Sequence, residues 1–219
     1  MKKYLILIIA IIIQLNLMAG DGKSFIQLRS GLSIPLGKYS KNVLVEGSFT
    51  DLGMSFGLDG AWFFMKHLGV GADISYTIHT VDASALATAM VADDPFLSDA
   101  IVRSDPYNFL SISAGAYTYW MLGNKFSLQA KLLGGIMYGK TPFQLVEPEY
   151  FLVGPEYYKI TSARDDGFVL KTGVSFNYHI SNCIAIGLYG DYSYSALKFT
   201  FRRGVGTITY DKNISYLDF

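Results

Sequence analysis

Phe25-Ile26-Gln27-Leu28-Arg29-Ser30-Gly31-Leu32-Ser33-Ile34 alternates large apolar residues with polar or small ones. Successive side chains of a β-strand point to opposite faces, so Ile26, Leu28, Leu32 and Ile34 share one face and Gln27, Arg29, Gly31 and Ser33 the other. A strand built this way meets two different environments. The same period recurs over Leu52–Phe64, Leu68–His79, Phe109–Trp120, Phe126–Tyr138, Phe168–Ile180 and Cys183–Tyr194, and an eighth strand is expected within Thr207–Phe219. Each segment is long enough for a tilted membrane crossing, which takes about 9 to 11 residues.

The connections alternate in length. Residues 38–50, 80–108, 139–167 and 195–206 are long, whereas Lys66-His67, Leu122–Lys125 and Ser181-Asn182 are tight. This predicts an all-β fold, an antiparallel eight-stranded up-and-down transmembrane β-barrel with short periplasmic turns, long extracellular loops and both ends of the barrel on the periplasmic side.

One parity is free of charge, as lipid contact requires: Leu52, Met54, Phe56 and Leu58, then Val70 and Ile74, Leu110 and Ile112, Leu128, Leu132 and Ile136, Leu170, Val174 and Phe176, and finally Ile184, Ile186 and Leu188. The other parity carries Arg29, Asp59, Asp73, Lys131, Lys171 and Asp191. Three cations and three anions balance, and buried charge is tolerable only when paired. The expectation is an interior ion-pair network that fills the barrel, since eight strands leave room for little beyond their own side chains. Aromatics flank the apolar band, with Trp62, Phe64, Trp120, Phe126 and Tyr178 near the tight turns and Tyr76, Tyr138, Phe168, Tyr192 and Tyr194 near the long loops. These are expected to form two interfacial girdles.

Met1-Lys2-Lys3, the apolar run Tyr4–Ile13 and the small residues at Ala19-Gly20 read as a secretory signal over 1–20, leaving one barrel domain over 21–219. No cysteine follows the cleavage site to accept a lipid, and the single Cys183 has no partner for an internal disulfide. A formal net charge of zero gives no basic face for nucleic acid.

Catalytic, cofactor and metal sites are not expected. The three histidines, His67, His79 and His179, fall at different levels of the barrel. His79 with Ser75 or Thr77 and Asp82 imitates a hydrolase set, which keeps a lipid-modifying barrel enzyme as an alternative. A narrow pore along the charged interior is a second alternative, and a soluble lipocalin-like barrel with its oily face inward is a third. Asp93, Asp94 and Asp99 lack the spacing of a calcium loop. Recognition is expected on the long loops, because a rigid scaffold carries binding residues there. Ser84–Val91 has the alanine content of a short helix, and residues 139–167 hold Phe143, Tyr150, Phe151, Tyr157 and Tyr158 among Glu147, Glu149 and Glu156. The partners expected are outer-membrane lipids and a surface ligand or envelope protein met through loops 80–108 and 139–167, the chain itself being a monomer.

The stretch Ser30–Tyr39, together with Gly57–Phe64 and Leu68–Asp73 around the first tight turn, resembles the small outer-membrane β-barrels of Gram-negative bacteria, the group that includes the outer-membrane protein A barrel, protein X and the opacity proteins. The resemblance implies an outer-membrane location after signal cleavage, a plugged interior and structural or adhesive roles without catalysis. One departure is expected at the last strand. Leu217 and Phe219 lie on one parity and Ile208, Tyr210, Ile214 and Tyr216 on the other, so keeping both sets outward calls for a bulge. Similar sequences continue past such a stretch with a further half-strand, and ending at Phe219 implies weaker closure.

Overall fold

Alternation over this many segments leaves each strand with one oily and one polar side, and a sheet of that kind satisfies its edges only by closing on itself. A computed structural model describes residues 13–18, 24–44, 47–151, 153–203 and 206–219. In chain order the strands are β1 (Ile13–Met18), β2 (Ser24–Pro35), β3 (Thr50–Phe63), β4 (Leu68–Val81), β5 (Leu97–Ser104), β6 (Tyr107–Leu122), β7 (Phe126–Lys140), β8 (Gln144–Tyr150), β9 (Gly154–Pro155), β10 (Tyr158–Ile160), β11 (Arg164–His179), β12 (Ile184–Arg203) and β13 (Gly206–Asp218). Helix α1 spans Ala83–Asp93, with the Asp82 side chain accepting from the Ala85 N–H at 2.9 Å as its N-cap. It slightly exceeds the expected Ser84–Val91.

Strands β2, β3, β4, β6, β7, β11, β12 and β13 pair antiparallel in that order, and β13 returns to β2. The chain is an eight-stranded up-and-down β-barrel. The closing seam is divided. In the half toward the long connections β13 pairs β2 from Tyr216 opposite Pro35 to Asp218 opposite Ser33, and Phe219 exchanges backbone hydrogen bonds with Leu32 at 2.8 and 2.9 Å. In the other half Ile13–Met18 lies between β2 and β12, with Leu15 opposite both Leu28 and Ile186. The rest of the expected signal segment, 1–12 and 19–20, lies outside the described residues.

Three expectations need correction. The strands run from 12 residues in β2 to 20 in β12, so several project well beyond a membrane crossing. Residues 195–206 are accordingly not a loop, because β12 and β13 continue as a ribbon out to Arg203 opposite Gly206.

The last strand also needs no bulge. Its pairing with β12 is continuous, and Ile214 and Tyr216 are fully buried inside the barrel while Leu217 keeps the outward parity. Ile208 and Tyr210 lie on the projecting part of the ribbon, where both faces are exposed.

The connections over 80–108 and 139–167 are only partly irregular. A second sheet pairs β10 with β8 and β8 with β5, and β9 adds to β8. It continues the β6–β7 ribbon past the barrel rim: Asn108 pairs with Lys140 in the barrel, Asp105 N donates to Phe143 O at 2.9 Å, and Ser104 pairs with Gln144 above. The ladder breaks at Pro106, which has no N–H to offer. Helix α1 packs along β5.

Candidate functional site

The expected interior residues lie on six different strands and meet in the middle of the barrel. Asp59 on β3 stands directly opposite Asp73 on β4, a like-charge pairing that repels unless a cation enters between them. Arg29 enters. Its guanidinium binds Asp59 at 2.5 Å and also bonds Asp73 and Asp191, with the side chain 2% exposed. Lys131 reaches Asp59 at 2.8 Å, Asp191 at 2.7 Å and Asp73 at 3.6 Å. Lys171 bonds Asp73 and donates to Ser75 Oγ at 2.6 Å and Ser111 Oγ at 3.3 Å.

Glycine makes two of these reaches possible. Gly173 sits between Lys131 on β7 and Asp191 on β12, paired with both, and a Cβ there would lie 1.9 Å from Asp191 Oδ1. The flanking strands are about 10 Å apart, twice the usual strand spacing, so the two side chains meet across the bare glycine. Gly57 opens the same kind of space beneath Arg29, whose guanidinium nitrogen would be 2.7 Å from an added Cβ.

Apolar layers close both ends of this charged layer. Toward the tight turns Phe25, Phe63, Tyr117, Tyr119 and Leu133 pack together. Toward the long connections Tyr39, Phe109, Met137, Leu197, Phe199 and Tyr216 form a larger cluster. Tyr39 comes from the 3₁₀ turn Gly37–Ser40, which folds back over the barrel mouth. The cavity bounded by Asp59, Lys131, Tyr189 and Asp191 measures about 10 Å³, room for one water at most.

Asp218, absent from the expected set, is a fourth interior carboxylate, fully buried and paired in register with Asp191 and Ser33. The sequence reading did not assign it, because the parity that faces inward differs between β12 and β13. Tyr194 faces Ser215 and Ser195 faces Ile214, so odd residues of β12 share a face with even residues of β13.

The hydrolase-like set does not assemble. His79 is fully buried, with Nε2 2.9 Å from Ser33 Oγ and Nδ1 3.2 Å from Tyr39 OH. Ser75 is held by Lys171 and Ser111, and Asp82 is occupied as the cap of α1. His67 and His179 bond Tyr119 O and Ser127 Oγ, each at 2.8 Å. Asp94 and Asp99 accept from the Phe96 and Ala100 N–H groups. Among the described residues no group of three histidine, cysteine or acidic side chains is placed to hold a metal.

On the outside, the uncharged parity forms a continuous apolar band, with Ile112, Leu132, Ile136 and Val174 about half exposed. Trp62, Phe64, Trp120, Phe126 and Tyr178 lie on the same outer face at the tight-turn end, and Phe126 packs on Phe176 and Tyr178. At the opposite end Tyr76, Tyr138, Phe168 and Tyr194 are exposed and Tyr192 is half-buried.

The second sheet presents a different surface. Leu97, Ala100, Val102 and Val146 are buried, whereas Phe151, Val153 and Tyr157 are more than 70% exposed, and Phe96, Ile101 and Tyr158 are exposed with them. Glu147 on β8 pairs loosely with Arg103 on β5 at 3.9 Å.

Neither a protein-family model nor a curated protein matches the sequence. Among solved structures, that of Ail, the attachment invasion locus protein of Yersinia pestis, is similar over 94% of this chain and 95% of that one, with 12% identity and a TM-score of 0.34.

Proposed function

We propose that the chain is a monomeric, non-enzymatic barrel of the Gram-negative outer membrane that carries a recognition sheet on its outer rim. The observation that carries this reading is the combination of a closed interior with a projecting sheet whose aromatic crest is uncovered. A band of side chains such as Ile112 and Leu132 faces outward, and among the described residues no charge interrupts it between the aromatic rows. In water so large an apolar surface drives association, whereas in lipid it is the required exterior.

Among the described residues the interior cavity holds one water at most, and the one histidine beside a serine hydroxyl there, His79 on Ser33, is fully buried beneath Tyr39. What remains for chemistry with the surroundings is the rim. The sheet of β5, β8, β9 and β10 is anchored directly to β6 and β7, so its crest is held by the barrel instead of drifting on loops. Phe96, Phe151 and Tyr157 with nearby Glu147 and Glu149 suit a surface ligand or envelope protein with an apolar patch bordered by cations.

The test has two arms. Outer-membrane fractionation followed by heat-modifiable migration on detergent gels should show a folded barrel in the membrane, and a monodisperse folded protein in detergent-free buffer refutes the location. Cells displaying wild type or the triple variant Phe96→Ser/Phe151→Ser/Tyr157→Ser are then compared for retention on immobilised glycans and envelope proteins. Equal retention of the two, with both barrels folded, rejects recognition by the crest.

A further inference from the structure

Among the described residues the sealed interior carries Arg29, Lys131 and Lys171 against Asp59, Asp73, Asp191 and Asp218, all of them buried. The charges do not balance. Asp59, Asp73 and Asp191 are bonded by the three cations. Asp218 is fully buried, and neither of its oxygens has a hydrogen-bond partner. We propose that Asp218 is a proton-binding site, occupied at neutral pH, and that its proton balances the charged layer and latches the closing seam.

The cations have nothing left to give this carboxylate. An ammonium offers three donors, and those of Lys171 go to Asp73, Ser75 Oγ and Ser111 Oγ. Lys131 is shared between Asp59 and Asp191. The terminal nitrogens of Arg29 bond Asp59, Asp73 and Asp191. Its Nε has no partner but lies over Gly57, on the β3 side of β2, whereas β13 is on the other side. The hydroxyls of Tyr189 and Tyr216, on the two strands that carry Asp191 and Asp218, do not donate to it either.

Register adds a second reason. Asp218 stands directly opposite Asp191 on β12, and like charges so placed repel. Asp191 has Arg29 and Lys131 to offset that, while an ionised Asp218 would be desolvated with no donor at all. A carboxylate in such a place neutralises by taking up a proton. The neutral acid also gains an O–H with which to donate.

The acceptor for that O–H lies across the seam. Ser33 on β2 is paired in register with Asp218, and its Oγ is 2.9 Å from His79 Nε2, whose Nδ1 is 3.2 Å from Tyr39 OH. The proton thus joins β13 to a row of polar groups that runs through β2 and β4 to the turn over the barrel mouth. Direct pairing of β13 with β2 extends only from Tyr216 to Asp218, with Phe219 bonding Leu32 beyond it. A negative charge at Asp218 would fall within this short seam, and the proton removes it.

Infrared spectra of the protein folded in detergent micelles at neutral pH read the proton directly, through the carbonyl stretch of a protonated carboxylic acid, which ionised carboxylates lack and which moves in heavy water. Wild type should show this band, Asp218→Asn should lose it, and Asp218→Glu should keep it at a shifted position. Because asparagine then replaces a neutral group, the urea midpoint of Asp218→Asn should stay within about 0.3 M of wild type. Asp191→Asn, which strips a partner from Arg29 and Lys131, should lower it. Wild type without the band overturns the proposal, and that measurement needs no variant to fold. A band that persists in Asp218→Asn assigns the proton to another carboxylate and overturns it too. So does a midpoint for Asp218→Asn that falls as far as that of Asp191→Asn, since it makes Asp218 a charged partner in the network. A wild type that lacks the band and gains stability with sodium at constant ionic strength replaces the proton with a bound cation.

Discussion

Replacing Arg29 by methionine keeps most of the side-chain volume and removes the guanidinium that bonds Asp59, Asp73 and Asp191. None of the three is then left entirely alone. Asp59 and Asp191 keep Lys131 at 2.8 and 2.7 Å, and Asp73 keeps Lys171. Two lysines, however, then face four buried carboxylates including Asp218, and Asp59 and Asp73 lie directly opposite with one cation fewer between them. Breaking a buried ion pair from one side costs about 3 to 5 kcal/mol. With a urea dependence of about 2 kcal/mol per M for a domain of this size, the unfolding midpoint should fall by about 1.5 to 2.5 M. The assay is a urea titration in detergent micelles, with the folded fraction read from unboiled gel migration. Adding Asp191→Asn to Arg29→Met should restore part of the loss, since residues in one network couple by about 0.5 to 3 kcal/mol. A midpoint for Arg29→Met within about 0.3 M of wild type, or a double variant worse by the sum of the singles, refutes the network as the element that holds the six strands.

Gly173→Val places side-chain atoms where Lys131 and Asp191 meet and should lower the same midpoint by at least as much as Lys131→Met, whereas Gly134→Ala, whose new Cβ meets only the Phe168 ring at 3.3 Å, should change it little. Leu132→Arg puts a cation on the outer band and should cost about 2 to 4 kcal/mol in lipid, read as reduced folding yield into vesicles, while equal yield argues against lipid contact there. Lys131→Ala and Asp191→Ala should leave planar bilayers as silent as wild type does, because the layers around Phe63 and Phe109 still close both ends; conductance that grows in either variant makes the charged layer a gate. Asp82→Ala removes the N-cap of α1 and should raise amide exchange over Ala83–Asp93 by the equivalent of about 0.5 to 2 kcal/mol without altering the barrel's unfolding midpoint.

The barrel could be read from sequence because its two faces see different solvents. Wherever one parity is uncharged and the other polar, as from Ile26 to Ser33 or from Ser111 to Tyr117, the face assignment follows directly. The charged layer follows too, since Arg29, Asp59, Asp73, Lys131, Lys171 and Asp191 stand on the parity opposite Leu28, Leu58, Ile74, Leu132, Leu170 and Leu188. The apolar layers above and below that level are different. Phe63 beside Trp62 and Phe64, or Leu133 beside Leu132, gives an apolar residue on both parities, so the outward side there follows only from the parity of the charged level, and the residues alone do not show an apolar layer inside. Closure makes that layer, burying Phe63 and Leu133 and leaving their neighbours outside.

The second sheet was hidden for another reason. Its strands sit within long connections, where a register shift between Leu97 and Asp99 interrupts the period of β5 and Pro148 within β8 reads against a strand. Both its existence and its position follow from the β6–β7 ribbon. Two strands that leave a barrel side by side already share a register, and extending that pairing past Pro106 needs no new loop closure, so β5 and β8 form at lower entropic cost than two independent loops would. The same continuity explains why the crest can serve recognition. A partner that docks on Phe151 and Tyr157 meets a surface whose ordering was completed when the barrel closed, and little further conformational freedom is lost on binding.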